Sequence, residues 1–167
     1  MTVLVAYATR HGATREVAEE IAATLKALGA DVELREARDI HGPECFVRGL
    51  AGNWSLIVLG APLYSGRWHR DAHRFLRRHR KDLAGVPVAV FGIGPRTTDK
   101  QAWQRSRAQL DRAVAKHKGL TPIAAEVFGG ADPPGKRPRR DLRDWARIEA
   151  WAASIASPAE WLREMAL

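Results

Sequence analysis

Short apolar runs alternate along the chain with longer stretches whose apolar residues recur every three or four positions. The first run covers residues 3–8 and reads as a buried strand. After Gly12 the period changes. Val17, Ala18, Ile21, Ala22 and Leu25 fall on one helical face, and Gly29 is placed to end that helix. Residues 31–35 form a second strand, and a short helix is expected between residues 42 and 50. A third strand spans residues 55–60, apolar on both faces, which predicts a central place in a sheet. Further elements follow in the same rhythm: a helix over 68–83, a strand over 87–92, a helix over 99–118 and a strand over 123–128. Residues 129–140 hold three glycines and three prolines and read as a loop; a last helix covers 141–156, with an extra turn after Pro158.

Five βα repeats of this kind predict an α/β, three-layer, doubly wound fold: a five-stranded parallel sheet, order 2-1-3-4-5, with helices on both faces. The expected organisation is one domain over residues 1–167. In such a sheet ligands bind beyond the carboxyl ends of the strands, where the order reverses. The loops after the first, third and fourth strands are therefore the places to search for chemistry.

The first loop is Thr9, Arg10, His11, Gly12, Ala13 and Thr14. Backbone N–H groups at a helix start are unsatisfied, the helix dipole favours an anion there, and the two threonines add hydroxyl donors. The pattern suits a phosphate, although the same residues also suit an ordinary capped turn. Its spacing matches neither GxGxxG nor GxxxxGK[ST]. His11 is placed either beside such an anion or simply in solvent. The second loop contains Ala61, Pro62, Leu63, Tyr64, Ser65, Gly66 and Trp68. Tyr64 and Trp68 can stack on a planar ring, and the Ser65–Gly66 peptide can turn to offer N–H or C=O to a ring nitrogen; Trp68 can equally pack beneath the sheet. The third loop, Gly92, Ile93, Gly94, Pro95 and Arg96, offers backbone groups to the edge of the same ligand.

Together the three loops resemble the flavodoxin family, and more closely its flavodoxin-domain branch that includes quinone-dependent protoporphyrinogen IX dehydrogenase. The residues that carry the resemblance are Val5-Ala6-Tyr7-Ala8-Thr9 with His11-Gly12-Ala13-Thr14, then Leu59-Gly60-Ala61-Pro62-Leu63-Tyr64 with Gly66-Arg67-Trp68, and Arg143-Asp144-Trp145 with Ile148 and Trp151-Ala152. The resemblance implies a flavodoxin-like fold and noncovalent FMN. The phosphate would lie on residues 9–14, with the ring between residues 61–68 and 92–96, and the chemistry would be one- or two-electron transfer carried by FMN without a protein acid or base. It also implies an oxidoreductase working with a redox partner or quinone. The alternative is a basic electron carrier or docking module with no turnover of its own. Two features depart from the family: electron-carrier flavodoxins are typically acidic, and the dehydrogenase branch has a longer insertion after the fifth strand. The cofactor therefore carries over further than the substrate.

Charge sharpens this picture. The 167 residues carry 27 Lys and Arg against 19 Asp and Glu, a formal charge of +8. Positive residues concentrate at 67–81, 100–118 and 136–147, and read mostly as solvated helix faces that can meet an anionic small molecule or a membrane surface. Nucleic acid is a poor match, because no helix-turn-helix, zinc or stacking motif accompanies the charge. His69 and His73 stand four apart without a carboxylate motif and read as surface histidines, with no metal. Trp145 and Trp151 read as core. The single cysteine, Cys45, excludes disulfides and reads as a packed thiol. No apolar run reaches membrane-spanning length and no leader pattern opens the chain, so the expected location is cytoplasmic, with the inner face of the membrane within reach of the basic surface.

Overall fold

In the computed structural model, which describes residues 1–42 and 54–157, five parallel strands form the central sheet. Strand β1 (Thr2–Tyr7) lies between β2 (Asp31–Glu36) and β3 (Leu56–Tyr64). Strand β4 (Arg67–Trp68) is a short antiparallel addition to β3, whereas β5 (Val88–Ile93) and β6 (Ala124–Phe128) continue the parallel sheet. The order is β2-β1-β3-β5-β6. With β4 set aside, this is the expected 2-1-3-4-5 arrangement.

Helices α1 (Ala13–Ala27) and α4 (Trp145–Ile155) cover one face, and α2 (Arg70–Arg78) and α3 (Lys100–Ala115) the other. The apolar runs dictate this sandwich: β5 is buried at every position, and its alternate side chains enter cores on opposite faces. On the α1/α4 side Trp151 packs edge to face on both Phe91 and Phe128, which are tilted against each other, with ring centroids 5.6–6.0 Å apart. Gly60 makes room for this cluster, since a Cβ there would lie 1.8 Å from Phe91 Cζ. Gly29, at φ +93°, closes α1 as expected; its N–H donates to Lys26 O, and that of Ala30 donates to Leu25 O.

The second loop departs from its expected form. Strand β3 does not stop at Gly60 but runs on to Tyr64, because Pro62 registers with Ile93 and because Leu63 and Tyr64 pair with Trp68 and Arg67. Ser65 (φ 50°) and Gly66 (φ 74°) form the two-residue turn, with the positive angles that a right-handed hairpin requires. Trp68 is thereby carried out of any stacking role. It is 2% exposed in the core, and its indole Nε1 donates to Ala61 O at 3.2 Å. Ala61 is also fully buried.

Several boundaries shorten. Helix α2 ends at Arg78, and residues after it turn around His79, which is 2% exposed with Nε2 3.0 Å from Ile40 O. Asp99 caps α3 from outside. Helix α4 begins at Trp145 because the Asp144 carboxylate accepts from Arg147 N. Trp151 is core, but Trp145 is 38% exposed, its ring under the Arg143 guanidinium at 4.9 Å. His69 and His73 are half-buried rather than surface residues: His69 Nδ1 accepts from Asp71 N at 3.0 Å, and His73 Nδ1 lies 2.8 Å from His117 Nε2. Among the described residues no group of three metal-ligating side chains occurs. Cys45, the short helix expected within 42–50 and the turn after Pro158 lie outside the described residues.

Candidate functional site

The carboxyl ends of β1, β3 and β5 open on a cleft of about 190 Å³. Its first wall is the loop after β1 and the first turn of α1. Here the Thr9 hydroxyl accepts from Gly12 N at 2.9 Å, folding the loop on itself. Gly12 adopts φ +92°, a left-handed angle that favours glycine, and leads into α1 without a capping side chain. The first backbone bond of the helix is Glu16 N to Gly12 O. The N–H groups of the turn before it are thus left for a ligand, at the positive end of the helix dipole.

Thr14 stands in this turn and is 1% exposed, and among the described residues its hydroxyl has no hydrogen-bond partner. An unpaired buried hydroxyl is costly, on the order of 1–3 kcal/mol. An acceptor brought into the cleft would satisfy it.

Pro62, Leu63 and Tyr64 make the opposite wall. The Tyr64 ring is 37% exposed, with the Arg10 guanidinium carbon 5.0 Å from its centroid and the His69 ring edge-on at 6.0 Å. Burial holds the His69 imidazole below its ordinary pKa, partly against the nearby Asp71 carboxylate. Ile93, Gly94 and Arg96 complete the lining from β5 and its loop. The Gly94 position tolerates no side chain: a Cβ there would stand 2.9 Å from Val127 Cγ1.

A fourth segment, absent from the sequence reading of the site, is the loop after β6, through Gly130, Ala131 and Pro133. It packs backbone to backbone on the third loop, with Gly130 N donating to Pro95 O at 2.9 Å. Asp132 anchors it. Its fully buried carboxylate accepts from Arg96 Nη1 at 2.8 Å and from Arg140 N, Nε and Nη2 at 2.9–3.1 Å, with Lys136 Nζ at 3.7 Å. The Arg140 guanidinium and backbone hold this carboxyl well below the usual carboxylate range. The signal in the sequence was one acid preceding a run of bases, Asp132 before Lys136, Arg137, Arg139 and Arg140.

Of the residues singled out from the sequence, Thr9, Arg10, His11, Ala13, Thr14, Pro62, Leu63, Tyr64, Ile93, Gly94 and Arg96 meet at this cleft. Gly12 and Pro95 shape its loops. Ser65 and Gly66 form the hairpin tip beyond Tyr64, while Gly92, like Ala61 and Trp68, lies in the interior, where a Gly92 Cβ would be 2.6 Å from Leu63 Cδ1. Among the described residues the lining contains Arg10, Arg96 and His11 and no carboxylate.

The family model for the flavodoxin domain matches residues 4–132. The chain belongs to the flavodoxin-domain family. Quinone-dependent protoporphyrinogen IX dehydrogenase of Escherichia coli K12 is 29% identical over 93 residues, which are 56% of this chain and 48% of that protein. The match thus spans about half the length of this curated relative. Among solved structures, a short-chain flavodoxin associated with a non-canonical PDU bacterial microcompartment superposes with a TM-score of 0.63 at 23% identity, covering 94% of this chain and 99% of that one. Oxidised flavodoxin 1 of Bacillus cereus gives 0.62 at 16% identity, with 98% of both chains covered. These likenesses establish the flavodoxin fold.

FMN is the cofactor that goes with this flavodoxin domain. The residues present fit it. A phosphate matches an uncapped helix start with a buried, unpaired Thr14 hydroxyl, and a flat ring matches a cleft walled by the exposed Tyr64. The family marks at Arg143, Asp144, Ile148, Trp151 and Ala152 are structural: Arg143 clasps Asp141 and Glu16, Asp144 caps α4, and the other three are buried.

Proposed function

We propose that this protein is an FMN-dependent oxidoreductase that exchanges electrons with a small organic redox partner such as a quinone, in the manner suggested by its protoporphyrinogen dehydrogenase relative. The observation that carries the reading is the buried, unpartnered Thr14 hydroxyl at an uncapped helix start, facing the exposed Tyr64 across one cleft. When bound, FMN supplies one- or two-electron transfer. The protein's own groups bind and tune. The hydroxyl of Thr14 and the first N–H groups of α1 would hold the phosphate, Tyr64 would give the ring an aromatic face, and the Ser65–Gly66 peptide would be the backbone group available to flavin N5. Arg10 adds positive charge to the cleft, which favours whichever state of the cofactor carries more negative charge. A cleft of about 190 Å³ encloses only part of a ligand of this size, leaving the rest open to a partner.

The second reading is an electron carrier without turnover of its own, favoured by the end-to-end superposition on flavodoxins. One sequence of measurements separates them. The purified protein, loaded with FMN, is reduced anaerobically and mixed with menadione, and the oxidised protein is then incubated with protoporphyrinogen IX. Rapid reoxidation by quinone together with porphyrin formation supports the oxidoreductase. Reduction by a reductase with neither reaction supports the carrier. Absence of both flavin absorbance and an FMN-dependent rise in Tm would falsify both.

A further inference from the structure

The strands point their carboxyl ends at the FMN cleft, so α2 and α3 end at the opposite pole of the sheet. Between those helix ends lies a second cavity, about 510 Å³, well within the range of small-molecule sites. Its composition is divided. Leu76 and Leu83, both buried, and the half-buried Leu120 form an apolar floor. Arg77, Arg80, Lys116 and Lys118 form an exposed rim, and among the described residues no carboxylate lines it. Among the described residues none of these four cations has an acidic partner within ion-pair distance.

Positive side chains at helix carboxyl ends also compensate the helix dipole, but the magnitudes differ. Two helix ends supply roughly half a negative charge each. Four formal positive charges exceed that about fourfold, and a further cavity of about 540 Å³, sharing Arg77 and Lys116, adds Arg67, Arg70 and Arg112. The hydrogen-bonded pair His73 and His117 separates the two spaces, His73 lining one and His117 the other. A concentration of like charge over an apolar floor repels itself unless an anion is present, and an anion that also has an apolar part uses both surfaces.

We propose that this cavity binds an amphipathic anion, its carboxylate or phosphate head held by Arg77 and Lys116 and its apolar body laid on Leu76, Leu83 and Leu120. The site is separate from the cleft and does not depend on FMN. An acidic polypeptide would use the rim alone and leave the floor exposed.

The probe is decanoate below its micellar concentration, followed by calorimetry and by the His117 ring resonances. Decanoate is expected to bind saturably and to move those resonances, with decanol and acetate each at least about tenfold weaker. Arg77→Gln with Lys116→Gln should weaken decanoate at least about tenfold, whereas Arg105→Gln, an exposed α3 charge outside the cavity, should leave it unchanged. The single variants Arg77→Gln and Lys116→Gln serve should the double variant not fold. Co-sedimentation with phosphatidylglycerol vesicles, lost in the double variant, would show that the head belongs to a bilayer lipid; decanoate binding without sedimentation would show a free amphiphile. Either supports the site. No decanoate binding, equal binding of decanol or acetate, equal loss in Arg105→Gln, or binding of polyglutamate in place of decanoate overturns it.

Discussion

The Arg140 guanidinium grips the Asp132 carboxylate with two nitrogens, Nε to Oδ2 at 3.0 Å and Nη2 to Oδ1 at 3.1 Å, while its own backbone N–H donates to Oδ2 at 2.9 Å. This pair fixes the loop that closes one side of the cleft. Asp132→Asn keeps the shape but loses the charge, leaving Arg96, Lys136 and Arg140 facing one another. A Tm lower by several degrees and weaker FMN binding are expected, by thermal melts and flavin fluorescence titration. Because the folded carboxyl titrates below its ordinary value of 3.8, the wild-type advantage is full above that pH and fades only as pH falls below it.

Thr14→Val separates binding from folding. The hydroxyl has no partner in the described structure, so its loss should leave the Tm of the flavin-free protein unchanged or raised. The Kd for FMN should rise about tenfold or more, the cost of a hydrogen bond to a charged phosphate. A Kd unaltered by the substitution would remove Thr14 from the phosphate site.

Arg10 sits over the Tyr64 ring in a cleft that no carboxylate lines among the described residues. Reduction of FMN adds negative charge, which a guanidinium nearby stabilises. Arg10→Gln should therefore lower the two-electron midpoint potential by roughly 30 mV, equivalent to about 1.4 kcal/mol. Spectroelectrochemistry at low and high salt checks the value, and salt should shrink the difference.

Gly66 lies at φ 74°, where a Cβ would touch only the Gln109 side chain at 3.9 Å. The obstacle to Gly66→Ala is thus backbone angle rather than space, and a loss of about 1 kcal/mol is expected in urea melts. If the Ser65–Gly66 peptide serves flavin N5, both FMN midpoints should also move. Unmoved midpoints would assign the glycine to the hairpin alone.

His73 and His117 share one hydrogen bond and a positive surrounding. Burial, then the coupling to His117 and the nearby Lys116 and Arg77, pushes His73 down to about 4; burial, Arg77 and Lys116 lower His117 as well. An unfolded histidine, at about 6.5, binds protons that the folded pair resists, so the stability they contribute is complete above pH 6.5 and is lost as pH falls toward 4. Melts across that window should show a falling Tm. The fall should flatten in His73→Asn with His117→Gln, which keep polar atoms but do not titrate.

Strand and helix periods along the chain determined the layers and which loops follow the strands, and the count of five βα units matched the 2-1-3-4-5 order. The reason is physical: a parallel sheet buried on both faces writes itself as continuous apolar runs such as residues 55–60, and helices covering it write themselves as one-sided repeats such as Val17, Ile21 and Leu25. Thr9, Thr14, Tyr64 and Arg96 were legible because strand ends place them together whatever the details. Only the tertiary structure decided the rest. Trp68 moved to the core because a two-residue turn folds β4 back on β3, and Trp145 moved to the surface because Asp144 starts the helix just before it. Asp132 became an anchor, and Arg77 and Lys116 neighbours, through contacts between segments dozens of residues apart. Periodicity records which way a side chain faces, and it does not record which distant side chain it meets.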